Sequence, residues 1–183
     1  KRDVPYTVIE NCIRVAGSAP SGANRQPWHF SMVSDPLVKL QIRTAAEREE
    51  EKFYRDKKKD SWLKALEPIG TNAHKPHLEE APWLVVVFAE RYEENPDGYK
   101  QKNYYVPESV GIAIGFLISA IHMTGLHCLI HTPNPMGFLA GICNRPESNK
   151  AILLLAVGHP VENVTIPRAA TIKKPFSDIS SVF

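Results

Sequence analysis

Apolar and polar positions alternate along this chain with two distinct periods. Val8, Ile9, Cys12 and Ile13 fall on one face at helical spacing, so a helix is expected over Val8–Val15, ending at Gly17. Trp28–Val33 reads as a strand. Asp35-Pro36 is a helix start, with Asp as N-cap and Pro in the first turn, and this helix is expected to reach about Arg48. Leu84–Ala89 is apolar at every position, the mark of a strand covered on both faces. Asn95-Pro96-Asp97-Gly98 marks a turn. Pro107-Glu108-Ser109 opens an apolar helix at Val110, along which Gly111, Gly115 and Ser119 repeat every four residues. Such a small-residue ridge suits close approach of a second helix, in a core or at a dimer seam. A strand over Leu126–Ile130, a short helix over Met136–Cys143 and a strand over Ala151–Val157 follow. The tail from Val161 to Phe183 has no period. Helices and strands are interspersed without a regular βα alternation, which predicts an α+β class with a helix-covered sheet.

One stretch breaks the pattern. From Glu47 to Asp60, twelve of fourteen residues are charged, six acids and six bases, and only Phe53 and Tyr54 are not. Charges at i,i+4 support a solvated helical face. A segment with so little to bury is also a candidate lid, expected at about residues 47–78.

Composition narrows the classes. The 183 residues suit a single domain over 1–183. Twenty-two Lys+Arg against twenty Asp+Glu leave +2, too balanced for a dedicated nucleic-acid binder. The apolar run Val110–Met123 is shorter than the roughly 18–20 residues of a membrane span, so no membrane association is expected. Cys12, Cys128 and Cys143 form no CxxC and are odd in number, which fits a reducing, cytoplasmic setting.

Several chemistries are poorly supported. His127 and His131 could share a strand face, but Cys128 would point the other way, and no metal is expected. GxGxxG and GxxxxGK[ST] are absent. What stands out is Ala19-Pro20-Ser21-Gly22-Ala23-Asn24-Arg25-Gln26-Pro27-Trp28. A hydroxyl, exposed backbone N–H groups and two amides in one tight loop suit an anionic or carbonyl-rich ligand.

This loop resembles the flavin-binding loop of the nitroreductase superfamily, and the whole chain resembles the iodotyrosine deiodinase family within it, bacterial members included. The stretches that carry the resemblance are Val8-Ile9-Glu10-Asn11, Ser18 to Trp28, Glu49 to Tyr54, Thr71 to Lys75, Thr132-Pro133, Val157 to Pro160 and Lys174-Pro175. It implies a nitroreductase-like fold, with a mostly antiparallel sheet flanked by helices, in an arm-exchanged homodimer with FMN at the interface. It implies FMN-dependent reductive dehalogenation of halotyrosines, fed by NAD(P)H or an electron-donor reductase. A general NAD(P)H-dependent nitroreductase or quinone reductase is the alternative, and a non-catalytic flavin or amino-acid binder a more distant one.

The same resemblance assigns residues. Ser21, Gly22, Ile130, His131 and Thr132 would hold flavin, with the Thr132 hydroxyl beside N5, where it favours one-electron steps. Lys173 stands where the family has a phosphate-binding arginine, and an arginine-rich phosphate element belongs just ahead of Lys1. Ile130-His131 replaces a run of threonines. Glu50, Tyr54 and Lys75 match the substrate clamp, and the Ala23 N–H would face the phenolate. Here the residues speak independently, because Glu50 and Tyr54 share a helix face. A carboxylate, a phenol and an ammonium together complement a zwitterion: Glu50 takes the α-ammonium and Lys75 the α-carboxylate.

Overall fold

The computed structural model describes residues 2–56 and 60–183. Four strands form the main sheet in the order β1-β2-β6-β5: β1 (Trp28–Val33), β2 (Trp83–Glu90), β5 (His127–His131) and β6 (Asn149–Gly158). Each pairing is antiparallel. The period-two rule explains how Leu84–Ala89 of β2 are all buried. Val85, Val87 and Ala89 join one core layer, with α1 (Tyr6–Gly17) and α5 (Val106–Met123). Leu84, Val86 and Phe88 join the other, with α2 (Pro36–Arg55), α4 (His77–Glu80) and α6 (Phe138–Ile142). The result is helix, sheet, helix, the α+β arrangement expected. A register shift between Val87 and Phe88 sets one extra β6 residue, Ile152, out of step.

Local chemistry fixes the elements. In α1, Ile9, Cys12 and Ala16 are buried at helical spacing against α5. In α2, the Asp35 side chain accepts from the N–H groups of Leu37 (2.8 Å) and Val38 (3.1 Å), and Pro36 fills the first turn. This helix runs to Arg55, seven residues past the expected end at Arg48. Two features carry it on: ion pairs at helical spacing, Arg43–Glu47, Glu49–Lys52 and Glu51–Arg55, and burial of Phe53. The charged run is therefore helical as far as Arg55; its residues 57–59 lie outside the described residues, and α3 (Asp60–Leu66) follows.

The apolar helix begins at Val106, four residues before Val110, and reaches eighteen residues. By length and apolarity it could cross a membrane, but Val110, Ala113, Leu117 and Ile121 pack into the core. Gly111, Gly115 and Ser119 lie on its exposed side with Ile112 and Phe116, which are 42% and 40% exposed. The turn at Asn95–Gly98 closes a hairpin of β3 (Tyr92–Glu94) and β4 (Lys100–Lys102), short charged strands with no apolar alternation to reveal them. The tail after Gly158 is almost wholly exposed and forms two helical turns, α7 (Arg168–Thr171) and α8 (Phe176–Ile179), that bury nothing.

Candidate active site

A cavity of about 290 Å3 opens between α2, α3, the segment Thr71–His77 and the C-terminal end of β5. Glu50, Tyr54, Lys75, Ile130, His131 and Thr132 all line it. Three separate stretches of sequence thus converge, and each has a local reason. Glu50 and Tyr54 lie one turn apart on α2. Phe53, between them, is buried and meets Trp62 of α3 edge-on, ring centroids 4.9 Å apart, which fixes that part of α2.

Lys75 is placed by its backbone and by its side chain. Its N–H donates to Glu47 Oε1 (2.7 Å), one turn before Glu50. Arg43 bridges Glu47 (3.0 Å) and Glu79 (2.7 Å), tying the loop and α4 to α2. Burial alone would raise the Glu47 carboxyl, but the Lys75 N–H and the Arg43 guanidinium hold it below the usual carboxylate range. The Lys75 ammonium is buried; it donates to Thr71 Oγ1 (2.8 Å) and stands 3.5 Å from Glu50 Oε2.

The cavity holds more polar capacity than the chain satisfies. Tyr54 Oη and His131 Nε2 are buried with no hydrogen-bond partner among the described residues. An orphaned buried polar atom costs roughly 1–3 kcal/mol unless something pairs with it. Burial raises the Glu50 carboxyl, partly offset by Lys75. Burial also raises the Tyr54 phenol, with Thr71 acting against it and Glu50 adding to it. The walls on the α3 side are apolar: Trp62, Leu66 and Ile69. Such a chamber takes a small molecule with both charges at one end and an apolar body at the other.

The flavin-loop residues stand elsewhere in the same chain. Ser21, Gly22 and Ala23 precede β1, at one edge of the sheet, while β5 is the other edge, three strand spacings or roughly 14 Å away. The loop is held against the start of α5: Gly22 N–H donates to Ser109 Oγ (3.2 Å), and Gln26 N–H donates to Ser21 Oγ (2.9 Å). Ala23, Asn24 and Gln26 have φ of 50°, 52° and 47°, three non-glycine residues in the left-handed region within four positions. Strain of this kind, about 1–3 kcal/mol per residue, collects where a backbone is shaped for a ligand. Lys173 lies in the exposed tail, its Nζ donating to Ala170 O (3.1 Å), and does not line the cavity.

Sequence reasoning left Glu47, Arg43, Thr71, Trp62 and His77 unassigned. Thr71 and the spacing of Glu47 one turn from Glu50 were visible, but their partnership with Lys75 is tertiary.

The nitroreductase family model matches residues 1–159. Iodotyrosine deiodinase of Haliscomenobacter hydrossis is 53% identical over 166 residues, 91% of this chain and 75% of that protein. The chain belongs to the nitroreductase family, in its iodotyrosine deiodinase branch. Iodotyrosine deiodinase of Hydra vulgaris is 39% identical over 182 residues, 99% of this chain but 66% of that protein. A crystal structure of oxidized iodotyrosine deiodinase bound to FMN and 3-iodo-L-tyrosine superposes with a TM-score of 0.75 at 33% identity, over 95% of this chain and 89% of that one.

Proposed function

We propose that this chain is an FMN-dependent oxidoreductase that removes halide from halotyrosines. The observation that carries the reading is the meeting of Glu50, Tyr54 and Lys75 in one cavity, where the Tyr54 hydroxyl has no hydrogen-bond partner among the described residues. These groups match the two charges of an amino acid, and each charge-assisted bond contributes roughly 1.5–3 kcal/mol once water is excluded. The relative bound to FMN and 3-iodo-L-tyrosine supports the same ligand class.

The residues fit a flavin. The rim of the cavity presents apolar Leu129 and Ile130, both about half exposed, beside the Thr132 hydroxyl. That combination suits the face and edge of a planar heterocycle. Ser21, Gly22, Ile130, His131, Thr132 and Lys173 would hold the group. When bound, FMN supplies the two electrons that, with one proton, replace the carbon–halogen bond by carbon–hydrogen and free halide.

The chain's own residues do the rest. Glu50 binds the α-ammonium, Lys75 the α-carboxylate, and Tyr54 adds a hydrogen bond. The Ala23 N–H would take the phenolate oxygen, and Thr132 would offer its hydroxyl to the bound flavin. A ring halogen lowers the phenol pKa, so preference for the anion selects halotyrosine over tyrosine. The described parts of the segment at 47–56 and 60–78 would close over the head group, and Phe53, Trp62, Leu66 and Ile69 would exclude water from the ring.

A pair of chains resolves the separation of loop and cavity. The Gly111, Gly115, Ser119 ridge with Ile112 and Phe116 offers a close-packing seam, and the exposed apolar tail, including Ile172 and Phe176, is suited to an exchanged arm. One protomer's Ser21–Ala23 would then face its partner's cavity. NAD(P)H or a reductase would supply the electrons, and three unpaired thiols suit a cytoplasmic protein.

The test is direct. The FMN-loaded protein, reduced anaerobically, is mixed with 3-iodo-L-tyrosine. Stoichiometric iodide and tyrosine are expected; turnover of nitroaromatics with no iodide would replace this reading by that of a general nitroreductase.

A further inference from the structure

Two histidines near the clamp have no role in the proposed function beyond the flavin contact that resemblance gives His131. His131 is 7% exposed, at the end of β5. Its Nε2 has no hydrogen-bond partner among the described residues, and it lies 3.9 Å from Glu50 Oε1. The ring of His77 stands edge-on to it, centroids 5.7 Å apart, and holds the imidazole in place.

The separation from Glu50 is informative. At 3.9 Å a direct hydrogen bond does not form. The same separation suits two acceptors that share one donor group, each about 2.9 Å from it. Glu50 divides its oxygens accordingly. Its Oε2 faces Lys75 at 3.5 Å, while Oε1 faces His131. A positively charged group with several N–H donors, bound by both Oε1 and Nε2, would satisfy the two acceptors together.

We infer that His131 is a substrate-binding residue, its Nε2 accepting a hydrogen bond from the same α-ammonium that Glu50 holds. The inference rests on the halotyrosine reading and extends it. An ammonium has three donors, and Glu50, Tyr54 and His131 then supply three acceptors. The imidazole must be neutral with its proton on Nδ1. Burial, helped by Lys75 and His77, pushes His131 down to about 3, so it carries no charge near neutrality. His131 thereby adds to head-group recognition.

Three chains are compared with the parent by titrating the oxidised, FMN-loaded protein with 3-iodo-L-tyrosine, after FMN content is matched. His131→Phe keeps an aromatic ring without the acceptor and should weaken binding by about tenfold or more. His131→Gln restores an acceptor and should stay within about threefold of the parent. A purely steric role gives the reverse order, with Phe tolerated and Gln not, and overturns the inference. So does unchanged affinity in both variants. Glu50→Gln is the control: if it too leaves affinity unchanged, the clamp reading itself has failed. Should His131→Phe not fold, nitrogen-15 spectra of the parent decide. A bare Nε2 that shifts on adding 3-iodo-L-tyrosine supports the assignment, and a protonated or unresponsive Nε2 overturns it.

Discussion

Burial of a neutral imidazole beside a lysine has a measurable cost in acid. His131 is 7% exposed, and burial, followed by the nearby Lys75 and His77, lowers it from 6.5 to about 3. The folded pKa therefore lies below the unfolded one. Between the two values the unfolded chain takes up a proton that the folded chain refuses, so stability is full above about 6.5 and falls as pH drops towards 3. From about pH 7 to about pH 4.5 this one group removes about 2–3 kcal/mol. His77 and His29, lowered by burial first of all, act in the same direction. His131→Gln cannot titrate. Over that range the parent should lose about 2–3 kcal/mol more unfolding free energy than the variant. Urea unfolding at fixed protein and FMN concentration, read as midpoint and slope at each pH, measures it. Parallel losses in parent and variant would refute the reasoning, because they would mean that His131 takes up its proton as readily folded as unfolded.

Three further outcomes follow from the site. Glu50→Gln should weaken 3-iodo-L-tyrosine binding by about 10- to 150-fold, the equivalent of one charge-assisted bond, with FMN retained; equilibrium titration checks it. Thr132→Ala should slow halide release while nitroaromatic reduction survives, since only the first needs the hydroxyl; parallel steady-state assays separate the two. Gly22→Ala puts a Cβ 2.9 Å from Tyr105 Cδ2 and 3.1 Å from Tyr104 O, so the loop must shift; a lower melting temperature, from about 1–3 kcal/mol of overpacking, and weaker FMN retention are expected.

Much of the fold is written in local patterns. The Asp35 cap with Pro36, the unbroken apolar run of β2 and the small-residue ridge of α5 each name their element without tertiary information. The ends are less legible. The α2 helix outruns its apolar pattern because charge pairs and the buried Phe53 sustain it, and neither shows as periodicity. The β3–β4 hairpin is too short and too charged to announce itself. In the candidate site, the i,i+4 spacing joined Glu50 to Tyr54, but Lys75 is separated from them by two further elements. Its place depends on Glu47 and Thr71, and sequence spacing carries no trace of that. The same holds for His131, whose strand position was clear and whose orphaned nitrogen beside Glu50 was not.

On the proposed function, the chamber beneath α2 seats a halotyrosine by its head group. The iodine anomalous signal from crystals of the FMN-loaded protein with 3-iodo-L-tyrosine tests it most directly. One strong peak per cavity is expected, with the amino-acid end of the molecule between Glu50 and Lys75. A peak only at other surfaces, with Glu50 and Lys75 still paired to each other and nothing between Glu50 and His131, would contradict it.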